Sequence, residues 1–343
     1  MQTILFTSYH QLEHSEHYPA FRQFIEQTAS GNFFQSPEFL QFIEPVRGYK
    51  PFLLLAITAS GEIQGSLMGV IQSDGGGVKS WLSRRLIVWG GPVLGERQAV
   101  SKQVTANALF QAMKKYAQGH AIFIEFRNFF DCSELHSAFE ANGFRFRPHL
   151  NYIVKLDDDA AVKGRLSSNR RRQIKTSLAA GAVVTEPESE ADVVALYQLL
   201  EKLYKEKVKK PLPSLDLFMQ FWKSPFSKTF LVKYEGNVVG GSVGPIYRNK
   251  VLYQWYVCGD NGAIKGVHPS VLASWAPIEY GLKHGYEYFD FMGAGRPEED
   301  YGVREFKARF GGDEVCFGRY EMVLNQSLYR VGKLGLKVYQ TIR

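Results

Sequence analysis

The sequence has little cysteine and no long apolar run. Its 343 residues include three cysteines, Cys132, Cys258 and Cys316, which lie far apart with no paired spacing. Disulfide frameworks and zinc sites show paired spacings, so neither is predicted and no resident metal is expected. No apolar segment reaches the roughly 20 residues that span a bilayer, and the N-terminus lacks a basic start followed by an apolar run. We therefore predict a cytoplasmic protein.

The chain has ample apolar and aromatic residues for a large core, at 45% and 14% of the sequence. Its length is generous for one domain and comfortable for two. Much of its net charge of +7 lies in two clusters, which suit solvated helix faces or an anionic partner such as a nucleotide, phospholipid or RNA. The clusters are Arg165, Arg170, Arg171, Arg172 and Lys175, and Lys202, Lys205, Lys207, Lys209 and Lys210.

The most informative segment is YEYFDFMGAGRPEEDYGVREFKARFGG at 286–312. An aromatic strand ends on Asp290 and leads into a glycine-rich acidic loop, an arrangement that places polar groups at a sheet edge where ligands bind. A short helix follows, anchored in the core by Phe306 and Phe310. This pattern predicts that Lys307 is held rigidly near Asp290, which suits acyl or phosphoryl chemistry. The alternative is a strand–helix corner joined by an ion pair.

Other polar groups in this segment are candidates for a general base or for substrate binding. Loop position alone does not rank the carboxylates, and the arginine beside them can bind substrate or pair with them. His268 precedes a proline at a predicted helix start, which favours a structural role, and Tyr256 is predicted to line the cleft and contact substrate. The loop candidates are Arg296, Glu298, Glu299 and Asp300.

The chain contains the same supersecondary unit twice. Two predicted strands flank a turn at Gly61 in the first half and at Gly236 in the second. In each half a second glycine, Gly65 or Gly240, follows four residues later, where a side chain would crowd the strand. A long helix, a strand with an acidic residue and a short helix then follow in both halves. This order predicts two similar lobes.

A connecting helix is predicted between the two units. Leu166, Ile174 and Leu178 form its apolar stripe, and Gly181 ends it. Cations at its start lie where backbone N–H groups already favour an anion, which predicts a phosphate-bearing substrate; the alternative is a solvated helix start. These cations are Arg170, Arg171 and Lys175.

The order of hairpin, long helix, strand and short helix looks like the GNAT acyltransferase fold. Its duplication resembles the Fem family of peptidoglycan-bridge aminoacyltransferases and the broader Fem-like acetyltransferases, through FFQSPEFLQF at 33–42, NRRRQIKTSLAAGAVV at 169–184, and YFDFMGAG and GVREFKARFGG within 288–312. The resemblance implies an α/β (α+β) chain of two tandem GNAT-like lobes, each a mixed sheet flanked by helices. The expected divisions are 1–156 for the first lobe, 157–322 for the connecting helix and the second lobe with its acyl-donor cleft, and 323–343 for a basic amphipathic helix.

The resemblance implies transfer of an acyl or aminoacyl group to an amine of a cell-envelope precursor, without a metal or covalent intermediate. The donor would be aminoacyl-tRNA or acyl-CoA, with no tightly bound cofactor, and the acceptor an anionic nucleotide- or lipid-linked precursor. Gln35 and Ser36, in the first motif, would bind substrate. The lysine that often follows this serine in the family is missing from 38–42, and the glycine pattern of a GNAT pyrophosphate loop is incomplete at 260–269.

Two alternatives stay open. One is an acyl-CoA-dependent N-acyltransferase that acts on an amino sugar or another small amine. The other is a catalytically silent protein of the same fold that only holds an anion. An open cleft around Asp290 and Lys307 would favour an enzyme, and a cleft plugged by aromatic side chains would favour the binding protein.

The C-terminal segment has the pattern of a basic amphipathic helix. Such a helix can lie on an anionic membrane, which would suit a lipid-linked acceptor and peripheral contact at the inner face. The alternative is packing on the second lobe, which Gly332 and Gly335 favour because they weaken a free-standing helix. Its apolar positions are Leu324, Leu328, Val331, Val338 and Ile342, and its cations are Arg330, Lys333 and Lys337.

Overall fold

The computed structural model describes residues 1–73, 77–96 and 99–342, and the side chains of 78–79 and 336–342 are left out of the description. The chain forms two compact units. Unit 1 comprises Met1–Pro148 and Phe317–Ile342, and unit 2 comprises His149–Cys316. These limits differ from the divisions expected at residues 156 and 322, because a strand at 151–155 pairs within unit 2 and a strand at 319–323 pairs within unit 1.

Helices and strands alternate along both units. In chain order they are β1 (Gln2–Phe6), α1 (Tyr9–Glu13), α2 (Tyr18–Gln27), α3 (Pro37–Ile43), β2 (Tyr49–Ile57), β3 (Ile63–Gln72), α4 (Gly77–Ser83), β4 (Arg85–Trp89), β5 (Val93–Leu94), α5 (Lys102–Ala117), β6 (Phe123–Arg127), α6 (His136–Ala141), β7 (Arg145–Arg147), β8 (Asn151–Lys155), α7 (Asp159–Arg165), α8 (Ser168–Ala179), β9 (Val183–Thr185), α9 (Glu190–Leu203), α10 (Leu215–Lys223), β10 (Ser227–Tyr234), β11 (Asn237–Tyr247), β12 (Val251–Tyr253), β13 (Tyr256–Gly259), α11 (Pro269–His284), β14 (Tyr288–Asp290), α12 (Gly302–Ala308), β15 (Asp313–Val315), β16 (Arg319–Val323) and α13 (Gln326–Ile342).

Short polar side chains begin several of the helices. A serine or aspartate just before the helix accepts a hydrogen bond from a backbone N–H of the first turn, which has no partner within the helix. These capping residues are Ser36 for α3, Ser101 for α5, Asp158 for α7, Ser167 for α8 and Ser189 for α9.

The two units have the same sheet topology. The strand order is β1-β2-β3-β4-β6-β16-β7 in unit 1 and β9-β10-β11-β12-β14-β8-β15 in unit 2, and β5 and β13 each pair with the third strand of their sheet. In both sheets only the fourth and fifth strands run parallel, β4 with β6 and β12 with β14. The predicted α/β fold with two mixed sheets flanked by helices is therefore confirmed.

The repeated hairpins are β2–β3 and β10–β11. Gly61 and Gly236 occupy their turns with φ of 85° and 79°, a conformation that glycine adopts without steric cost. A Cβ on Gly65 would lie 2.7 Å from Leu94 Cδ2, and one on Gly240 would meet backbone atoms at 2.9 Å. The predicted turns at Gly61 and Gly236 and the predicted crowding at Gly65 and Gly240 are confirmed.

One strand in each sheet comes from a distant part of the chain. β8 follows β7 directly in sequence, yet it pairs between β14 and β15 in unit 2. β16 follows β15, yet it pairs between β6 and β7 in unit 1. Tyr320 of β16 stacks on Phe139 with ring centroids 3.7 Å apart and is 2% exposed. The sheet and core of unit 1 are thus completed by the C-terminal segment.

The C-terminal helix α13 belongs to unit 1, which corrects the expectation that it packs on the second lobe. Because β16 returns the chain to the unit 1 sheet, the helix that follows packs against α4. A Cβ on Gly332 would lie 3.1 Å from Leu82 O, and the ring of Tyr329 lies 5.5 Å from that of Phe123. The side chains of Lys337, Val338 and Ile342 lie outside the described residues.

Candidate active site

The sheet of unit 2 opens at the C-terminal ends of its two parallel strands. β12 and β14 pair from Val251–Tyr288 to Tyr253–Asp290, and Gln254 N donates to Asp290 O at 2.9 Å. Beyond this point β13 pairs with β11 instead. The place where this pairing ends, between β13 and loop 291–295, is called the unit 2 opening below. Such crevices at strand ends are common ligand sites in α/β folds.

A bulge in the chain between β12 and β13 creates this opening. Trp255 N donates to Val243 O at 2.9 Å, so Gln254 is left out of the ladder with β11. The bulge passes very close to Gly244, where a Cβ would lie 1.6 Å from Tyr253 O. Glycine at this position therefore allows the strand to leave its parallel neighbour.

Asp290 holds the loop on the other side of the opening. It is 4% exposed, and its Oδ1 accepts from Asn151 Nδ2 at 2.7 Å and from Met292 N at 2.6 Å. Asn151 Oδ1 in turn accepts from Gly293 N at 2.6 Å. These bonds hold Met292 and Gly293 at φ of 57° and 120°. Burial raises the pKa of Asp290, although these hydrogen bonds and the charge of Lys307 oppose the shift.

Lys307 on α12 fixes the same loop through its carbonyl groups. Its Nζ donates to Phe291 O at 2.8 Å and to Gly293 O at 2.6 Å. Burial lowers the pKa of Lys307 to about 8, against the opposing charge of Asp290. An ammonium has three donors, and the third has no protein acceptor among the residues that the structure describes. Asp290 and Lys307, the two residues that the sequence singled out, therefore hold the same loop.

Arg170 lies inside unit 2 rather than on its surface. It is 4% exposed, and its guanidinium lies 4.2 Å from the ring centroid of Phe306 and 5.0 Å from that of Phe310. Nη2 donates to Phe306 O at 3.1 Å, and burial lowers the pKa of Arg170 to about 10. Its position supports α12, which carries Lys307, and leaves little room for the predicted contact with substrate.

Arg171 and Lys175 are exposed on α8. Arg171 Nη1 donates to Lys163 O at 3.2 Å and Gly164 O at 3.4 Å, so it also closes the end of α7. The start of α8 is capped by Ser167 Oγ, which accepts from a backbone N–H at 3.3 Å. Both cations remain open to solvent, and their predicted role in phosphate binding stays a prediction.

Arg304 holds the acidic loop that follows, although the sequence did not single it out. Arg296 and Glu298, both predicted to bind substrate, lie exposed in this loop. The only sequence signal for Arg304 is its place on α12, three residues before Lys307. Its guanidinium donates to carbonyl oxygens along the loop, at 3.3, 3.2 and 2.9 Å from those of Ala294, Pro297 and Glu299.

Aromatic residues form the β13 side of the opening. Tyr256 is half-buried, and its ring centroid lies 5.1 Å from that of Phe218 and 6.4 Å from that of Trp255. Tyr204 lies 6.3 Å away, in a π-helical turn over Tyr204–Val208, and burial raises its pKa to about 12. Tyr256 thus lies on the strand that borders the opening, and its contact with substrate stays a prediction.

The corresponding position in unit 1 is filled. β4 and β6 part after Trp89 and Arg127, and β5 pairs with β3. Phe34 enters this place, with its ring 5.9 Å from that of Trp89 and 5.1 Å from that of Phe129. Aromatic side chains therefore plug the unit 1 counterpart of the opening, which leaves unit 2 as the candidate site.

Gln35 and Ser36 belong to this plug, and both are fully buried. Gln35 Nε2 donates to Met68 O at 3.0 Å and to Trp89 O at 2.8 Å, while its Oε1 accepts from Met68 N at 2.8 Å. Ser36 Oγ donates to Phe33 O at 2.8 Å. The structure gives both residues a structural role, because their polar atoms are used to join strands and start α3.

The acidic residues of the two repeats are in different environments. Burial alone would raise the pKa of Glu125 in unit 1, but Arg127 and Arg319 lower it to about 2. Arg319 Nη1 lies 3.0 Å from Glu125 Oε1, and Arg127 Nε also donates to this oxygen. Asp290 instead accepts hydrogen bonds from the amide groups of Asn151 and Met292. Of the two acidic residues, Asp290 therefore holds a loop, whereas Glu125 pairs with arginines.

The loop before α11 is where a donor's phosphates would be expected in a GNAT-like lobe. It has two glycines in the left-handed region, Gly262 and Gly266, and an exposed Lys265. Asn261 Oδ1 accepts from Ser270 N at 3.3 Å, so a phosphate at this helix start would replace a side-chain oxygen. As the loop stands, Asn261 Oδ1 occupies the N–H group that a phosphate would use. His268 occupies the N-cap position of α11, but its side chain makes no capping hydrogen bond.

Two features are absent from the described residues, a membrane-spanning helix and a cluster of metal ligands. In the ranges 1–73, 77–96 and 99–342, no helix has the length and hydropathy to cross a membrane. Nor do three or more His, Cys, Asp or Glu residues in this part of the chain come together as metal ligands would.

Comparisons with known proteins agree with this fold. Residues 164–307 match the family model described as an acetyltransferase (GNAT) domain. The structure is similar to that of FemX, with 14% identity and a TM-score of 0.69 over 96% of this chain and 99% of that chain. It is also similar to the C-terminal domain of a putative lysylphosphatidylglycerol synthetase from Agrobacterium fabrum, with 14% identity and a TM-score of 0.58 over 93% and 95% of the two chains. A third similar structure is a tandem GNAT protein from the clavulanic acid biosynthesis pathway, with 11% identity and a TM-score of 0.60 over 94% of this chain and 98% of that chain.

No curated protein matches the chain. At these identities the similar structures establish the fold, and they confirm the resemblance to Fem-like, tandem GNAT-like proteins at that level. Together with the family match over unit 2, they support acyl transfer as the general class of chemistry.

Proposed function

We propose that this tandem GNAT-like chain is an N-acyltransferase whose donor binds in the unit 2 opening. The observation that supports this most directly is the contrast between the units. In unit 2 the parallel strands part beside a loop held by Asp290 and Lys307, whereas Phe34 and Gln35 fill the same place in unit 1. Such a difference between two otherwise similar units favours the enzyme over the silent anion-binding alternative.

In the proposed reaction, the acceptor amine attacks the ester or thioester carbonyl of the donor. A C–N bond forms, the C–O or C–S bond to the carrier breaks, and the proton of the amine passes to a base and then to the leaving group. The third N–H of Lys307 donates to the oxyanion that develops at the carbonyl oxygen. Asp290 keeps the loop in place around that ammonium. Glu298, Glu299 and Asp300 on the rim remain candidates for the base.

For the acceptor we propose an amine of an anionic cell-envelope precursor, nucleotide- or lipid-linked, and a lipid-linked one would bring the protein to the inner face of the membrane. The Fem-like fold and the likeness to a putative lysylphosphatidylglycerol synthetase support this choice. Arg171 and Lys175 would bind the anionic part of the donor or acceptor, and Tyr256, Arg296 and Glu298 would contact substrate at the rim.

A second candidate is acyl-CoA-dependent acylation of an amino sugar or another small amine. The GNAT family match over 164–307 favours it, since this range contains the opening and the glycine loop before α11. The two candidates differ in their donor. Aminoacyl-tRNA carries its group on an ester oxygen, and acyl-CoA on a thioester sulfur.

Mass spectrometry of reaction mixtures tests the proposal. The purified protein is incubated separately with charged tRNA and with acyl-CoA, each with a panel of amine acceptors, and Lys307→Met serves as the control. A new amide that depends on one donor and on Lys307 would support the function and identify the donor. Binding of a donor without transfer to any acceptor in the panel would favour the anion-binding protein instead.

Acyl transfer should fall as the pH rises through about 8. Burial lowers the pKa of Lys307 to about 8, so the ammonium that donates to the oxyanion is lost above this pH. The dependence of kcat on pH should show this limb in the wild type and lose it in Lys307→Arg, because a guanidinium stays charged. Stability should move the opposite way. The free energy of unfolding should rise from pH 8 towards 10.5, where the unfolded chain still binds a proton that the folded protein has released.

Neutralising Arg171 should weaken binding of a phosphate-bearing ligand about three- to tenfold, and added salt should weaken wild-type binding, because exposed charges carry the interaction. Calorimetric titration with coenzyme A and, separately, uridine diphosphate measures both effects. Arg172→Gln is the matched control, since Arg172 is equally exposed on α8 and donates only to Asn169 Oδ1 at 3.1 Å among the bonds found for its side chain. Equal affinities for Arg171→Gln and the wild type would mean that this cluster is only a solvated helix start and does not bind phosphate.

A further inference from the structure

We propose that unit 1 docks on an anionic lipid bilayer through a surface formed by α4 and residues 326–335 of α13. This surface, the α4–α13 face, combines exposed apolar side chains with cations. Trp81 on α4 is 46% exposed, and on α13 Val331 is 52% and Leu334 63% exposed. Val331 and Leu334 are three positions apart, so they project from neighbouring parts of one helix side.

The two helices form one surface. Gly332 lies against Leu82 O of α4, the residue next to Trp81, because a Cβ there would be only 3.1 Å away. Three positions before Gly332, on the same side of α13, Tyr329 packs on Phe123 of β6 with centroids 5.5 Å apart. The core contacts of α13 are thus made by other residues, and Val331 and Leu334 are left facing solvent.

The positive charge of the α4–α13 face favours an anionic lipid bilayer as the partner. From Gly77 to Gly95 and from residue 322 to 343 the chain has no aspartate or glutamate. Two segments so far apart in sequence, both free of acidic residues, come together where α4 packs on α13. Protein–protein interfaces are depleted of lysine at their centre, whereas anionic lipid headgroups attract such a cluster. The cations of the two segments are Lys79, Arg84, Arg330, Lys333, Lys337 and Arg343, besides Arg85, which is engaged within the sheet because its Nε donates to Gln72 Oε1 at 3.1 Å.

Two of the cations, Arg84 and Lys333, lie beside aromatic rings, as in side chains that reach from the acyl boundary to the headgroups. Arg84 lies 5.9 Å from the ring centroid of Trp81 and donates to Trp81 O at 3.3 Å and Gly119 O at 2.9 Å. Lys333 Nζ lies 4.8 Å from the ring centroid of Tyr329. Tryptophan prefers the membrane–water interface, so Trp81 would insert at headgroup depth.

Co-sedimentation of the full chain with vesicles tests this docking. Binding is expected to vesicles that contain phosphatidylglycerol, to be weak on pure phosphatidylcholine and to fall with salt. Trp81→Ser combined with Leu334→Ser should reduce binding about tenfold or more, and Lys333→Glu should do the same on anionic vesicles. The matched controls are Val104→Ser and Lys115→Glu on α5 of unit 1, which change an equally exposed apolar side chain and an exposed cation elsewhere.

Two outcomes would overturn the proposal. One is equal binding of the α4–α13 variants and the α5 controls. The other is self-association that the Trp81→Ser, Leu334→Ser variant abolishes, which would make a second copy of the chain the occupant. Donor binding by unit 2, measured with coenzyme A in the absence of vesicles, should be the same in all variants. A failure of membrane docking is therefore distinguishable from a failure of the proposed transferase function.

Discussion

Replacing Lys307 by methionine should lower kcat for acyl transfer by about 10²–10³-fold, the usual cost of losing a donor to a developing oxyanion. Methionine keeps most of the length and apolar bulk of the side chain. Phe310, which is fully buried, and Phe306 keep α12 in place, so the fold should persist. Initial rates at saturating donor and acceptor measure the effect, and thermal unfolding checks the fold. Full activity in this variant would remove Lys307 from the mechanism.

Lys283→Met is the matched control for this change. The Lys283 side chain is 66% exposed on α11 and pairs with Glu279 at 3.1 Å, so its loss should leave kcat unchanged. Asp290→Asn gives the mechanistic contrast. If Asp290 acts only by holding the loop for Lys307, its substitution should reduce kcat in the same way, and the double variant should be no slower than the slower single one. Additive losses would instead give Asp290 a separate role in the reaction.

Lys307→Met should also cost some stability, because Phe291 O and Gly293 O lose a donor. A buried carbonyl left without a partner costs about 1–3 kcal/mol, and relief from burying an ammonium offsets part of this. Activity should therefore fall much further than the free energy of unfolding. A loss of structure as large as the loss of activity would mean that Lys307 only fixes the loop.

Gly244→Ala should destabilise the protein by about 3 kcal/mol, at the upper end of overpacking effects. The new methyl group would lie 1.6 Å from Tyr253 O and 2.7 Å from Tyr253 C, both of which belong to the backbone. Relief requires the bulge to move, and the bulge is what lets β13 leave β14 at the unit 2 opening. Denaturant unfolding measures the loss, and we expect weaker donor binding even where the variant is folded.

Gly164→Ala is the control for this substitution, with the opposite sign. Gly164 lies in α7, and a Cβ there would meet nothing within 4 Å. Because alanine favours a helix over glycine, this variant should gain about 0.5–1 kcal/mol. A small effect of Gly244→Ala, similar in size to that of Gly164→Ala, would show that the strand can bulge without glycine.

Much of the fold could be predicted from local patterns. Gly61 and Gly236 mark tight turns, and Gly65 and Gly240 mark crowded strands, because both features depend on steric requirements that act within a few residues. The repeat of these signals correctly predicted two similar units. The segment around Asp290 stood out for the same reason, since its strand, loop and helix are consecutive in sequence.

Contacts between distant residues could not be predicted in this way. Asn151 bonds Asp290 across 139 positions, and nothing near it in sequence marks that bond. In the sequence Arg170 belongs to a run of surface cations, but it lies against the rings of Phe306 on α12 and of Phe310 just after that helix. Leu178 belongs to an apolar stripe in the sequence, but in the structure it is 48% exposed, near the end of α8. The family resemblance implies that Gln35 binds substrate, but its amide group is hydrogen-bonded to backbone carbonyls of two strands that are distant in sequence.

The position of β16 also affects the order in which the two units can fold during synthesis. When residues 1–148 have left the ribosome, the sheet of unit 1 still lacks the strand between β6 and β7. Unit 2 can form before that strand exists, since all of its strands precede Phe317. At about 5–20 residues per second the unfinished sheet would wait roughly 10–30 s, with one edge of β6 unpaired and β7 without its partner strand. We therefore expect unit 1 to complete its sheet only after the whole of unit 2 has been synthesised.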